Sequence, residues 1–202
     1  MTVKENMLIK VEGLFLKYGI KSITMDDISA HLGISKKTLY QHVDNKADLI
    51  DQIIVAHLDG EEQALKEIKL TATDAIDEMT KIARYVIGQL RKLRPTTVYD
   101  LQKYYKNSWA RMESYHNEKV FEIIKKNIVW GVEDGLYRSE IHATIMAKLY
   151  VGKLMLIADE ETFPLKDFSK ENLFKEFITY HLHGITSPKG LKRLAKHTNN
   201  TL

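Results

Sequence analysis

The chain has 202 residues, of which 44% are hydrophobic and 28% are charged, and its formal net charge at pH 7 is only +3. This composition supports a buried core and predicts one compact chain of one or two domains. Cysteine is absent, which excludes disulfides, thiolate metal sites and a thiol nucleophile. The N-terminus lacks a long apolar segment, and lysines interrupt the most apolar later run, 145–158. We therefore expect a cytoplasmic protein without membrane spans.

The first predicted element is an amphipathic helix from about Val3 to Tyr18. Its apolar residues recur at intervals of three and four, as one buried helix face requires, and they are Leu8, Val11, Phe15 and Tyr18. Gly19 follows and can end the helix. We expect the apolar side of this helix to cover the two helices that come next, because a pair of short helices cannot bury a core alone.

The stretch from residue 23 to residue 50 has the pattern of a helix-turn-helix. Thr24 can cap the start of a helix, and Asp27 stands at the capping-box position three residues later. Gly33 can take the left-handed conformation that ends this helix, and Ser35 can cap the next one almost at once. The result is two short helices separated by a turn of about three or four residues that contains glycine.

The second of these helices carries the groups that can contact nucleic acid. At roughly 100° per residue, its outer face holds two cations, a phenol and an amide, namely Lys36, Lys37, Tyr40 and Gln41. Leu39 and His42 point the other way. Such side chains can meet phosphates and base edges in a major groove. No arginine precedes Arg84, so this segment cannot make bidentate arginine contacts to guanine.

A third helix is predicted to begin at Lys46, capped by Asp44 or Asn45. The free N–H groups and the dipole at a helix N-terminus favour an anion. We therefore expect Lys46 and this helix end to hold a DNA phosphate.

The residues Gly33-Ile34-Ser35-Lys36-Lys37-Thr38-Leu39-Tyr40, followed by His42, Asn45-Lys46 and Leu49, resemble the recognition helix and following segment of the tetracycline-repressor (TetR) family of transcription regulators. The resemblance covers about the first quarter of the chain. Two positions depart from the family pattern, which often has a small residue where Lys37 stands and an aromatic where Val43 stands. Lys37 is then a candidate for an additional phosphate or guanine contact.

Together, the residue pattern and the resemblance predict an all-α protein in two parts. Residues 1–46 would form the DNA-binding domain, and residues 47–202 a helical domain for ligand binding and dimerisation. The predicted contacts to double-stranded DNA are Thr24, Ser35, Lys36, Lys37, Thr38, Tyr40, Gln41, His42 and Lys46.

The remainder of the chain shows helical periodicity throughout, and all three prolines fall at predicted helix boundaries. A long helix should run from residue 46 past Leu65. Further helices are predicted at about 75–93, 96–105, 107–135, 142–159, 169–185 and 188–197.

Several aromatic and apolar residues of these helices could line a pocket for a small molecule. Aromatic residues at helical spacing also form ordinary core, and the residues alone leave both interpretations open. The family resemblance implies an inducer cavity in this region. The candidate ligand-binding residues are Tyr85, Tyr104, Trp109, Met112, Glu113, Trp130, Met146 and Tyr150.

The last two long helices, 142–159 and 169–185, have broad apolar faces. Paired with their copies, they could form a four-helix interface in a homodimer, or they could simply close their own bundle. The predicted binding of DNA favours the first interpretation. Two recognition helices reach successive major grooves only when a two-fold axis places them about 34–36 Å apart.

No catalytic signature accompanies these helices. The sequence contains no glycine-rich phosphate loop, no Gly-x-Ser-x-Gly and no His-Glu-x-x-His. The histidines do not group at ligand spacing, so neither a metal nor a cofactor is predicted. We predict a repressor that a small-molecule inducer releases from a pseudo-palindromic operator. A transcriptional activator of the same fold is the alternative, and a helical enzyme or a helical protein-interaction module are rivals from other classes.

Overall fold

A computed structural model describes residues 2–93, 95–164 and 166–198. Within these ranges all regular secondary structure is helical, and an isolated bridge pairs Tyr137 with Thr186. The predicted all-α fold is confirmed. The helices are α1 (Val3–Tyr18), α2 (Met25–Leu32), α3 (Lys36–Leu39), α4 (Lys46–Thr71), α5 (Ala75–Lys92), α6 (Pro95–Tyr104), α7 (Lys106–Tyr115), α8 (Phe121–Glu133), α9 (Ala143–Ala158), α10 (Lys170–Ile185) and α11 (Pro188–Thr198).

The predicted boundaries agree with these helices in most cases, and α1 begins and ends where the sequence pattern places it. The predicted helix 107–135 differs. A π-helical segment, His116–Val120, separates α7 from α8 in the same stretch. No glycine or proline marks it, because a π-helical segment is set by packing of neighbouring turns and leaves no such local signal.

The described chain packs into two compact units, and the first contains residues 1–62 and 92–112. Its core includes the fully buried side chains of Val11, Ile28, Leu39 and Leu49. Leu101 of α6 belongs to the same core. The helix-turn-helix therefore shares its core with a segment from the middle of the sequence. These compact units differ from the predicted division into a DNA-binding domain that ends at residue 46 and a helical domain that follows it. The predicted functional boundary stays a prediction.

The second unit contains residues 63–91 and 113–202, and a buried polar network lies inside it. Asn127, which is fully buried, donates from Nδ2 to Ala75 O (2.8 Å) and to Glu78 Oε2 (2.9 Å). The Tyr137 hydroxyl donates to Asn127 Oδ1 (3.0 Å). A buried amide left without partners would destabilise the fold, so these hydrogen bonds must form. They link α5, α8 and the loop after α8.

A search of the described residues finds no helix both long and apolar enough to cross a membrane. Over the same residues, no cluster of three or more histidine, aspartate or glutamate side chains is arranged to hold a metal ion.

Candidate nucleic-acid interface

The helix-turn-helix is built by the local interactions that the sequence predicts. Thr24 Oγ1 accepts from the backbone N–H of Asp27 (3.2 Å), and the Asp27 carboxylate accepts from the backbone N–H of Thr24 (2.8 Å). The hydroxyl of Thr24 also donates to Asp27 (2.7 Å). These bonds from Thr24 stabilise the ionised carboxylate and lower the pKa of Asp27. Helix α2 therefore starts with a complete capping box.

The turn between α2 and α3 depends on Gly33. This residue has φ of 68° and ψ of 30°, which is the left-handed region that glycine adopts without strain. Its N–H donates to Ala30 O, and the N–H of Ile34 donates to Ser29 O, each at 3.1 Å. Ser35 then caps α3 by accepting from the N–H of Thr38 (3.0 Å). The chain thus passes from α2 to α3 in a few residues and leaves the outer side of α3 exposed.

Helix α3 is a single turn of four residues, whereas the predicted helix face extends as far as Gln41. It ends at Leu39, and Tyr40–His42 continue as a turn with hydrogen bonds from Gln41 N–H to Thr38 O and from His42 N–H to Leu39 O. The side chains still separate as predicted. Leu39 and Val43 are buried, whereas the outer residues are exposed, with 48% of Tyr40 accessible. The exposed set is Lys36, Lys37, Tyr40 and Gln41.

The remaining predicted contact residues lie beside this set. Thr24 and Ser35 are exposed caps, while Thr38 and His42 are half-buried. The hydroxyls of Ser35 and Thr38 are hydrogen-bonded to each other (2.8 Å). The His42 carbonyl accepts a long bond from Gln52 Nε2 (3.4 Å), which links the end of this turn to α4.

Lys46 has structural contacts that the sequence did not predict. Helix α4 begins at Lys46, and Asn45 Oδ1 caps it by accepting from Asp48 N–H (3.0 Å), as one of the two predicted caps. The Lys46 ammonium, however, donates to the carbonyl oxygens of Ile20 (2.7 Å) and Ile23 (2.5 Å). Burial lowers the pKa of Lys46. Its charge therefore holds the loop between α1 and α2, and its contact with a DNA phosphate stays a prediction.

Two residues of this surface were not singled out from the sequence. Asp26 in the first turn of α2 forms an ion pair with Lys36. Asp100 of α6 is buried and accepts from the backbone N–H of Lys21 (2.9 Å), so it binds the same α1–α2 loop that Lys46 holds. Both contacts join residues of different elements, and spacing along the chain gives no signal for either.

Comparison with known proteins agrees with this geometry. The family model described as "Bacterial regulatory proteins, tetR family" matches residues 12–53, which include the whole helix-turn-helix. The uncharacterised HTH-type transcriptional regulator YvaF of Bacillus subtilis is 23% identical over 82% of this chain and 87% of its own length. This chain is therefore similar to the TetR family of transcriptional regulators, and the family match lies in its helix-turn-helix segment.

Two further relatives extend the likeness beyond the N-terminal segment. The HTH-type transcriptional repressor KstR2 of Rhodococcus jostii is 22% identical over 87% of each chain. The crystal structure of a transcriptional regulator from Cytophaga hutchinsonii superposes with a TM-score of 0.73 at 21% identity, over 91% of this chain and 98% of the other. Together with the exposed face of the helix-turn-helix, these matches indicate a DNA-binding transcriptional regulator of the TetR type. Regulators of this family bind DNA operators and small-molecule effectors and act as dimers.

The predicted effector residues are distributed over both units. Tyr104, Trp109 and Met112 belong to the first unit. Tyr104 is exposed and accepts from the Lys21 ammonium (3.0 Å), whereas Trp109 and Met112 pack against the core around α1. These three positions have structural contacts in the first unit, and their part in effector binding stays a prediction.

The other five candidates belong to the second unit. Met146 and Tyr150 line an open groove of about 730 Å³ between α9 and α10, where Lys153 and His181 also lie. Trp130 lies under the Lys69 ammonium, 3.7 Å from its ring centre. The last two, Tyr85 and Glu113, are half-buried and are not among the residues that line this groove.

The two helices predicted to dimerise differ in what they expose. On α9, Ile145 (54%), Leu149 (51%) and Leu156 (46%) are exposed along one face together with Gly152. The predicted apolar face of α10 is instead buried inside its own unit, because these residues pack within the bundle. They are Phe174, Phe177, Ile178, His181, Leu182 and Ile185. This burial agrees with the alternative that α10 closes its own bundle, and the part of α10 in a dimer stays a prediction.

Proposed function

We propose that this protein is a repressor that binds a pseudo-palindromic operator as a homodimer and leaves it when a small molecule binds. The observation that carries the proposal is the outer surface of α3. Lys36, Lys37, Tyr40 and Gln41 are exposed there, while Leu39 and Val43 anchor the segment in the core. A short element with polar, cationic and aromatic side chains outward and apolar ones inward suits the major groove.

The chemistry of the exposed side chains suits two kinds of contact, one to the bases and one to the phosphates. Gln41 has both a donor and an acceptor and can pair with adenine, and the lysines can donate to guanine acceptors or to phosphates. The Tyr40 hydroxyl can donate to a phosphate. Ser35 and Thr24 lie at helix N-termini, where backbone and hydroxyl groups also meet phosphates. Lys46 acts from behind this surface, by fixing the α1–α2 loop.

The dimer is supported by the exposed face of α9. Apolar side chains at positions 145, 149 and 156 lie on one side of the helix and are exposed to solvent. Burying such a face against a copy removes apolar area from water and places two recognition segments about a two-fold axis. A two-fold axis in the protein then requires two related half-sites in the DNA.

Repression and release are supported by relatives and by linkage. The KstR2 relative bears the name of a repressor. An effector can lower operator affinity only by as much as it prefers the conformation that binds DNA poorly. The second unit is the part in which we place this effector, because its helices lie outside the helix-turn-helix.

Selection of bound duplexes from a random pool tests this function. We expect the enriched sequences to contain an inverted repeat with half-sites about one helical turn apart. A reporter gene placed behind the selected operator should then be expressed less when the protein is present. Enrichment of no sequence, or a rise in reporter expression, would contradict the proposal, the latter in favour of an activator.

A further inference from the structure

Asp26 lies on the surface that the proposed function assigns to DNA, and its carboxylate contacts the ammonium of Lys36. Asp26 belongs to the first turn of α2, and Lys36 is the first residue of α3, so the ion pair bridges the two helices of the helix-turn-helix. Both side chains are well exposed, with 64% of Asp26 and 55% of Lys36 accessible. The neighbouring Asp27 differs, because its carboxylate is used in the capping box.

The ion pair between Asp26 and Lys36 contributes little to the stability of the fold. An ion pair between two exposed side chains contributes little to folding, because water screens the charges and both side chains lose freedom. Helix α2 already has its cap, and the packing of α3 depends on the buried Leu39. A carboxylate beside a DNA-binding lysine is also unfavourable for affinity, since it repels phosphates and occupies the cation that would attract them.

We propose that Asp26 determines specificity by competing with DNA phosphates for Lys36. On DNA of arbitrary sequence, binding depends almost wholly on phosphate neutralisation, and a lysine that is already neutralised releases no counterion. On the operator, a correctly placed base acceptor replaces the carboxylate of Asp26. The pair thus weakens binding to non-operator DNA more than binding to the operator.

The inference rests on the proposed function and goes beyond it, because it gives a role to an acid that contributes no favourable DNA contact. It also distinguishes the two lysines of α3. Lys36 begins paired with a carboxylate, whereas Lys37 has no ion pair among the described residues. Lys37 should therefore neutralise phosphates on any duplex, and Lys36 should do so only when Asp26 is removed.

The test uses Asp26→Asn in the full-length protein, with Asp59→Asn as control. Asp59 is an exposed acid of α4, so both changes raise the net charge by the same amount. Affinity for a random-sequence duplex is measured from low to moderate salt. We expect Asp26→Asn to steepen the logarithmic salt dependence by about 0.9 units and to bind this duplex several-fold more tightly. Operator affinity should rise less, and Asp59→Asn should resemble the wild type.

A second pair of variants shows whether Asp26 acts through Lys36. In a Lys36→Ala background, Asp26→Asn should leave the salt dependence unchanged, because the cation that it frees is missing. An undiminished effect in that background would overturn the competition, and so would a wild-type slope for Asp26→Asn itself. Failure of the wild-type protein to bind any duplex in a salt-dependent way would overturn the proposed function and this inference together.

Discussion

At the level of single residues, charged side chains fix the α1–α2 loop, which precedes the helix-turn-helix. The Lys46 ammonium donates to Ile20 O and Ile23 O, and the Asp100 carboxylate accepts from Lys21 N–H. Two backbone carbonyls and one N–H are thereby satisfied by side chains from α4 and α6 of the same unit. The start of α2 depends on this loop, since Thr24 follows it directly.

Replacing Lys46 with methionine tests this role. The substitution keeps the length of the side chain but leaves the carbonyls of Ile20 and Ile23 without their donor. We expect a loss of about 1–3 kcal/mol in the free energy of unfolding, measured by urea denaturation, because partly buried acceptors become unpaired. Unchanged stability together with a salt dependence flattened by about one unit would instead support the phosphate contact that the sequence suggested.

At the scale of helices and turns, local sequence signals predict the helix-turn-helix well. Thr24 with Asp27, Gly33 and Ser35 act within a few residues, so their capping bonds can be derived from spacing alone. Contacts between distant elements cannot be derived in this way. The pairing of Lys36 with Asp26 and the direction of the Lys46 side chain depend on how the helices pack, which no local pattern specifies.

The close packing at Gly131 of α8 is another feature of this kind. A Cβ atom at this position would lie 2.1 Å from the Tyr137 ring, whereas one at Gly88 of α5 would have no atom within 4 Å. Both glycines are in helices of the second unit. Helical periodicity alone treats the two positions alike.

We expect Gly131→Ala to destabilise the protein by about 1–3 kcal/mol, because the added methyl group displaces a buried aromatic ring. Gly88→Ala is the control. It should stabilise the protein by about 0.5–1 kcal/mol, since alanine loses less backbone entropy than glycine in a helix. Thermal and urea unfolding of both variants measure the difference, and equal effects of the two substitutions would disprove the close contact.

At the scale of the whole molecule, regulation through paired half-sites requires two copies of the chain. The exposed face of α9 is the surface that we assign to this contact, and the buried face of α10 supports α9 from within. Sequence periodicity identified both helices as apolar. It could not tell which apolar residues face the protomer's own core, because that depends on the packing of the entire bundle.

Leu149→Glu should convert the dimer to a monomer, because a carboxylate would be buried in an apolar interface. Leu191→Glu is a suitable control, since Leu191 of α11 is an exposed leucine of the same unit, 42% accessible against 51% for Leu149. Sedimentation velocity should show one protomer for Leu149→Glu and two for the control. A dimeric Leu149→Glu variant with wild-type operator affinity would exclude this face as the interface.

The proposed regulation requires contact between the outer surface of α3 and duplex DNA. The most direct measurement compares Lys37→Ala with Lys192→Ala, an exposed lysine of α11 whose loss changes the net charge equally. Affinity for a duplex is followed against salt concentration. We predict that Lys37→Ala lowers the slope of log affinity against log salt by about one unit and that Lys192→Ala leaves it unchanged. Identical slopes for Lys37→Ala and the wild type would contradict the account.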